Sequence, residues 1–302
     1  MMFCGVDLGG TKIEIIVLSD NNEILFRQRV ATPQGHYQKT LDTIVSLFTQ
    51  AEQAVGKLSA LGIGIPGAIS QKTGRIKNAN SVCLIDKDLK NDLMDRLNCP
   101  VRLSNDANCF ALSEAIDGAG KGAQTVFGVI IGTGCGGGLV IKNQVLDGAN
   151  LIAGEWGHNP LPWLGDDETR MPCYCGKSGC IETFLSGPGF AKHFEQTSGK
   201  LLTAQEIVAS AQFNQDELST DAAQALEHYC VWLAKGLASV INIFDPDVIV
   251  LGGGMSNIDY LYQRVPQIWE EWVFSDQVVT QLQKAQWGDS SGVRGAAWLT
   301  KP

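Results

Sequence analysis

One histidine and three cysteines follow one another as His158-x₁₄-Cys173-x-Cys175-x₄-Cys180. One imidazole and three thiolates are the borderline-soft donors that a tetrahedral zinc ion prefers, and four of them leave no open position for a metal-bound water. A metal held this way braces a loop and does not hydrolyse a substrate. Gly157, Gly176 and Gly179 sit between or beside the donors, where a short chain must turn sharply. Carboxylates bracket the run, Glu155 ahead of His158 and Glu182 just beyond Cys180. The competing readings of this spacing are a disulfide or unrelated buried thiols.

A second chemistry is written in glycine. Leu8-Gly9-Gly10-Thr11, the run Gly132-Thr133-Gly134-Cys135-Gly136-Gly137-Gly138, and Gly252-Gly253-Gly254 each follow an apolar segment. Turns whose amides point outward cradle anionic oxygens, and glycine lets a phosphate approach closely. Gly5-x₄-Gly10 is followed by Thr11-Lys12, one residue out of step with a P-loop. The run from Gly132 to Gly137 spells Gly-x-Gly-x-x-Gly, but a dinucleotide fold needs that turn to open a helix, and residues 139–141 read as a strand. Hairpin chemistry accounts for any single turn. Three of them on apolar strands, the first carrying Asp7, Thr11 and Lys12, favour a nucleotide site. Asp106 adds a carboxylate at the Asn105-Asp106-Ala107-Asn108 corner, where helix capping is the plainer reading.

The elements that must position these residues alternate. Strands are predicted at 3–7, 13–18 and 24–30, a helix at 37–55 with Leu41, Ile44, Val45, Leu47 and Phe48 on one face, and a strand at 60–65. A helix at 86–97, a strand at 101–104 and a helix at 106–117 follow. A glycine-rich stretch from Gly118 to Gly122 is a plausible domain boundary. Strands at 125–131 and 139–141 repeat the strand, glycine turn, strand theme. Helices are predicted at 190–196, 203–211 and 218–244, a strand at 248–251, a helix at 258–272, a strand at 278–285 and a last helix at 292–299.

Composition narrows the partners. The chain has 302 residues, 44% hydrophobic and 18% charged, enough for two domains or one large one. A net charge of −9 argues against binding a phosphate backbone, and no run of eighteen apolar residues suggests a membrane span. No nucleic acid or membrane partner is expected. Nine cysteines, six of them scattered, suit a reducing cytoplasmic setting better than a disulfide framework.

Together Asp7-Leu8-Gly9-Gly10-Thr11-Lys12, Asn105-Asp106-Ala107-Asn108, Gly132-Thr133-Gly134, Glu155-Trp156-Gly157-His158 and the cysteine knot resemble the ROK family of sugar kinases. The resemblance extends through Gly252-Gly253-Gly254-Met255-Ser256 and the run from Gly288 to Ala297. Within the family, residues 155–163 and that last run look most like bacterial fructokinase of the mannofructokinase type. The resemblance implies an α/β fold: the two-domain, actin/hexokinase-like (ribonuclease H-like) ATPase pair hinged over ATP, here with a zinc-binding loop. Residues 1–117 would form the first domain, with a helix at about 291–302 packing back on it. Residues 118–290 would form the second, with the zinc loop at 155–182.

The same resemblance assigns roles. Asp106 matches the catalytic base. Gly9, Gly10, Thr11 and Lys12 match one phosphate loop, and Gly132, Thr133, Gly134, Cys135, Gly136, Gly137 and Gly138 a second. Asp7 would lie near Mg²⁺, and Gly253 and Gly254 would flank the adenosine. The sugar would meet Gly67, Asn78, Asn80, Asn105, Asp106, Glu155, His158 and Glu182. Carboxylates suit vicinal hydroxyls because both oxygens accept. A zinc-bound His158 would keep its second ring nitrogen free for sugar or a supporting contact. Trp156 and Trp163 read as packing residues. The implied cofactors are ATP, Mg²⁺ and a structural Zn²⁺, and a homodimer is a possible state. The activity implied is transfer of the γ-phosphoryl group to the 6-hydroxyl of a hexose, fructose first, with N-acetylglucosamine or N-acetylmannosamine as the alternative. A sugar-responsive repressor of the same family would need a DNA-binding segment, and six residues ahead of Asp7 cannot hold a helix-turn-helix.

Overall fold

The structure is a computed structural model that describes residues 1–77, 79, 81–166, 168–211 and 217–301. The chain divides into two compact units, one of Met1–Gly122, Gly138–Ala153 and Gln286–Pro302, the other of Ala123–Gly137 and Gly154–Ala285.

The first unit opens with strands β1 (Met2–Leu8), β2 (Lys12–Ser19) and β3 (Ile24–Ala31), then helix α1 (Tyr37–Val55) and strand β4 (Leu61–Ile65). A short hairpin, β5 (Ala68–Ile69) with β6 (Ile76–Lys77), precedes helix α2 (Leu89–Leu97), strand β7 (Val101–Asn105) and helix α3 (Asp106–Asp117). The sheet runs β3-β2-β1-β4-β7, antiparallel through the opening meander and parallel from β1 onward. Apolar residues of α1 at helical spacing, Leu41, Ile44, Leu47, Phe48 and Ala51, are buried against this sheet's core. Glu14 of β2 is only 1% exposed, a burial that needs partners. Arg27 supplies one contact at 2.5 Å and Arg29 a forked pair at 3.0 and 2.6 Å.

The second unit's strands are β8 (Thr125–Ile131) and the first residues of β9 (Cys135–Ile141), which carries the chain back toward the first unit's β10 (Gln144–Val145). Helices α4 (Glu182–Leu185), α5 (Gly187–Ser198), α6 (Ala204–Ala211) and α7 (Glu217–Phe244) follow, then strand β11 (Val248–Gly252), helix α8 (Tyr260–Ile268) and strand β12 (Gln281–Lys284). The sheet order is β10-β9-β8-β11-β12, with β8, β11 and β12 parallel. At α6 a capping box closes the amino end, Thr203 N–H donating to Glu206 Oε2 (2.8 Å) and Glu206 N–H to Thr203 Oγ1 (3.3 Å).

Helix α9 (Ser291–Trp298) belongs to the first unit and lies backbone-close on β1, β4 and α3. A Cβ at Gly5 would stand 2.1 Å from Ala297 N, one at Gly62 1.8 Å from Ala296 O, and one at Gly295 1.7 Å from Cys109 O. Only glycine fits these three places. The buried Glu114 of α3 accepts from the N–H groups of Ala119 (2.9 Å), Gln286 (3.0 Å) and Trp287 (3.2 Å) and from Ser291 Oγ (2.8 Å). Asp117 pairs with the buried Arg294, whose guanidinium lies 4.0 Å above the Trp287 ring.

Several sequence expectations shift. Residues 135–138, expected in a turn, are strand, and their glycines serve close packing: a Cβ at Gly137 would meet Gly154 O and the Phe127 ring at 2.8 Å. The helix expected from residue 86 starts at Leu89, because Asp86 has a φ of 61° and Asp88 caps Asn91 N–H. The segment 258–272 is one α-helix flanked by 3₁₀ turns at Gly254–Asn257 and Trp269–Glu271. Strand β12 spans only part of 278–285. Helix α5 begins earlier than residue 190, with Ser186 capping Gly189 N–H at 3.1 Å. Hairpin β5–β6 and helix α4 are too short for periodicity to mark.

Candidate active site

In the first unit the chemistry collects at the carboxyl ends of β1 and β7. Asp7 lies near the end of β1, and Asp106 is the first residue of α3. The capping reading of Asp106 is corrected here: Asn105 Oδ1 accepts from Asn108 N–H at 3.0 Å and caps the helix. Asp106 is left with Oδ1 taking Ala107 N–H and Asn105 Nδ2, both at 2.8 Å. Its tip is open to solvent. Surrounding protein nonetheless pushes its carboxyl above the usual range, against the donors at Ala107 and Asn105. Asp7 is raised to about 6, first by burial and then by the charges of Asp106 and Glu14, with Lys12 and Arg29 opposing. Gly64 and Gly292 make room for it, since a Cβ at either would stand 3.5–3.7 Å from its carboxylate. A carboxylate whose proton affinity is raised by burial and by a neighbouring carboxylate, as that of Asp7 is, suits a divalent cation.

The first glycine turn is tied down on both sides. Gly9 N–H donates to Lys12 O (3.0 Å), Thr32 Oγ1 to Gly9 O (2.8 Å), and Gln34 Nε2 to Gly10 O (3.1 Å). Thr11 O accepts from Thr32 N–H at 3.0 Å. A Cβ at Gly10 would stand 3.7 Å from Ser81 Oγ, and a cavity of about 370 Å³ lies beside it, lined by Thr32, Gln34 and Ser81. Gly67, with a φ of +96°, turns the chain into hairpin β5–β6, where a Cβ would stand 2.6 Å from Lys77 O. Asn78 and Asn80 lie outside the described residues.

In the second unit the two later glycine turns are neighbours, because Gly252 of β11 is in register with Ile130 of β8. Gly132 N–H closes on Gly134 O at 2.9 Å with Thr133 at its tip. Gly253 has a φ of +83°, and a Cβ there would stand 2.5 Å from Ile131 O, whereas Gly254 faces open space. Gly187 N–H donates to Gly132 O (2.8 Å), so the amino end of α5 lies beside the turn. Both turns thus crown the carboxyl ends of parallel strands, where open α/β sheets bind ligands. A cavity of about 470 Å³ nearby is lined by Val208, Ala211, Leu226, Asn257 and Ile258, an apolar slot that the sequence did not signal.

The start of β9 also anchors the acidic residues of this unit. Cys135 N–H donates to Glu182 Oε2 (3.0 Å), and Trp156 Nε1–H donates to Gly136 O (3.1 Å) with its ring edge-on to Phe127. A Cβ at Gly157 would stand 2.0 Å from Cys135 O. These contacts clamp the segment that carries Glu155, which is exposed, and His158. Trp156 packs as expected at 4% exposure, but Trp163 is 49% exposed, with a φ of 52°, and does not.

His158, Cys173, Cys175 and Cys180 bring their donor atoms within 4.8 Å of one another. His158 Nδ1 is 3.5 Å from Cys173 Sγ, and Cys175 Sγ is 3.6 Å from Cys180 Sγ. Tetrahedral zinc with ordinary bond lengths asks for about 3.6 Å between nitrogen and sulfur and about 3.8 Å between sulfurs. The donor set therefore fits zinc in kind and spacing. All nine cysteines are free thiols, so no disulfide competes. The second ring nitrogen of His158, expected to be left for sugar or a supporting contact, makes a supporting one: Nε2 lies 2.9 Å from the Tyr174 hydroxyl.

Two α/β units bearing glycine turns at strand ends, with Asp7 near the end of β1 and Asp106 at the β7–α3 corner, agree with the actin/hexokinase-like fold shared by the sugar kinases this chain matches. A family model described as ROK family matches residues 3–302, and the chain belongs to that family. It is 40% identical over 303 residues to the N-acetyl-D-glucosamine kinase of Pectobacterium carotovorum subsp. carotovorum (strain PC1), covering 99% of this chain and 98% of that one. A ROK hexokinase from Thermus thermophilus matches at a TM-score of 0.86 and 28% identity, covering 99% of this chain and 97% of that one. A ROK family glucokinase from Streptomyces griseus in complex with glucose and AMPPNP matches at a TM-score of 0.75 and 28% identity, covering 99% of each. Fructose finds no support among these relatives, and the N-acetylglucosamine alternative is the better backed. No helix among the described residues is long and apolar enough to cross a membrane.

Proposed function

We propose that this sugar kinase transfers the γ-phosphoryl group of ATP to the 6-hydroxyl of N-acetyl-D-glucosamine. The observation that carries the reading is Asp106: its cap duty is taken by Asn105, and its carboxyl is raised toward the pH at which a base works best. Asp106 accepts the proton of the sugar hydroxyl as the oxygen attacks phosphorus. Asn105, held against Asp106 Oδ1, steadies the carboxylate and reaches a neighbouring hydroxyl.

Asp7 would hold Mg²⁺, which neutralises the β and γ oxygens. Within the runs Gly9–Lys12 and Gly132–Gly138, which would border the phosphates, the amides of Gly9, Gly132 and Cys135 are engaged inside the protein, so Gly10, Thr11, Thr133 and Gly134 would be the ones to meet phosphate oxygens. Within the second run the turn at Gly132–Gly134 is the freer part, since residues 135–138 are committed to the strand. Gly253 and Gly254 border the adenosine, and the slot formed by Val208, Leu226 and Ile258 suits an adenine ring. By the family resemblance, Gly67, Asn78, Asn80, Glu155, His158 and Glu182 would be the residues that meet the sugar, with zinc in the cysteine knot bracing the last three. Glu182 offers chiefly Oε1, because Oε2 is engaged by Cys135 N–H.

A coupled ADP-release assay across N-acetylglucosamine, N-acetylmannosamine, glucose, mannose and fructose tests the reading. N-acetylglucosamine should give the highest kcat/KM. A higher value for fructose would overturn the substrate assignment, and turnover of none would overturn the kinase.

A further inference from the structure

Helices α5 and α7 and residues 168–169 enclose a cavity of about 480 Å³ in the second unit, lined by none of the residues proposed for phosphoryl transfer. Its size falls in the range of roughly 300–1,000 Å³ common for small-ligand sites. His193 lines it and is 7% exposed. The ring stacks on Phe184, with centroids 4.6 Å apart and planes at 21°, and lies 4.8 Å from Trp232.

One ring nitrogen of His193 faces the Thr183 carbonyl. That contact makes it the protonated nitrogen and leaves Nε2 as an acceptor, and Nε2 is buried with no partner among the described residues. Burial pushes this imidazole down to about 4, so it stays neutral at physiological pH. An unpaired buried acceptor is costly, and a bound donor removes that cost.

The charged residues of the cavity are already matched. Glu168 takes the N–H of Gly165 (2.7 Å), the Trp232 indole N–H and Lys235 Nζ (3.4 Å). Burial alone would raise this carboxyl, but those donors outweigh it and hold it below the usual range. The ion pair is thus closed on itself and offers little to an anion or a cation. What remains for a ligand is an aromatic wall, the His193 acceptor and the polar side chains of Thr169, Gln196, Thr197 and His228, a lining that takes a molecule with several hydroxyls and an apolar face.

We propose that this cavity is a second, non-catalytic carbohydrate site, in which one hydroxyl of an uncharged monosaccharide donates to His193 Nε2 while its C–H face lies on Trp232. Its lining shares no residue with the transfer chemistry assigned above.

The test is a titration of the full chain, labelled with ¹³C at histidine Cε1, with N-acetyl-D-glucosamine in the absence of ATP. The chain has four histidines, so the spectrum is readily assigned by substitution. A saturable shift of the His193 resonance is expected that persists in Glu155→Ala, in which the proposed transfer site is weakened. Turnover of His193→Phe, which keeps an aromatic ring on Phe184, should stay within about twofold of the parent at low sugar. A shift lost in Glu155→Ala would be one relayed from the transfer site and overturns the proposal. If His193→Phe does not fold, the wild-type titration still decides, with His193 assigned from the milder His193→Gln. A His193 resonance that does not move with N-acetyl-D-glucosamine, glucose or mannose, as when water alone satisfies Nε2, overturns the proposal. Absent turnover with the shift retained would count against the kinase reading and leave this site standing.

Discussion

Asp106 and Asp7 make different predictions although they share one corner of the first unit. Asp106→Asn keeps the size and the Asn105 contact but removes the proton acceptor, so kcat should fall by roughly 10²–10⁴-fold with little change in sugar affinity. Near-normal turnover would exclude Asp106 as the base. Because the base works deprotonated and its carboxyl is raised, turnover should also decline as pH is lowered toward the raised value. Asp7 bears on stability. Folding lifts its carboxyl to about 6, so the folded chain holds the proton more tightly than the unfolded chain does. Its charge therefore opposes folding above pH 6, an effect that fades as pH falls through the window from about 6 to about 4. Asp7→Asn should stabilise the ligand-free chain by roughly 1–3 kcal/mol at pH 8 and scarcely at pH 4. Urea unfolding at the two pH values reads this directly, and equal effects at both would mean that Asp7 is not desolvated.

Among the elements, glycines divide into those that pack and those that leave room. Gly157 has a carbonyl 2.0 Å from where a Cβ would stand, whereas Gly254 has nothing within 4 Å and no positive φ. Gly157→Ala should lower stability by at least about 1–3 kcal/mol through overpacking, while Gly254→Ala should leave the melting temperature alone and raise the KM for ATP. An unchanged ATP KM would remove Gly254 from the nucleotide site. Chelation probes the cysteine knot: if it holds zinc, metal removal should raise the sugar KM before the ATP KM, and equal loss of both would contradict the bracing role. The difference between packing and open glycines was not legible in the sequence, where Gly132 to Gly138 read as one turn. Motif spacing marks glycine but does not tell which neighbour excludes a side chain. The knot was legible because four ligands in a short run have few other uses. The slot at Val208 and Leu226 was not, since helices α6 and α7 present it only once folded. The opening meander and α1 followed closely from alternation and helical spacing, and the misplaced boundaries fell where Asp86 and Gly254 set local turns.

At the scale of the molecule, the chain enters the first unit three times, and its final visit supplies α9. A protein ending at residue 285 would lack the helix that covers Gly5, Gly62 and Cys109, and should show no cooperative thermal transition for the first unit. A native-like transition in that truncated chain would show that α9 is dispensable.

Glu114 carries a further consequence for how the protein is made. Three of its four donors come from Gln286, Trp287 and Ser291, so during synthesis this buried acid waits for nearly the whole chain. The first unit, translated first, is finished last. A ribosome that stalls before those residues emerge releases a chain whose amino-terminal half has an unsatisfied carboxylate in place of a latch. Such a product should be cut by proteases faster than the finished chain, because its first unit lacks the contacts that close it.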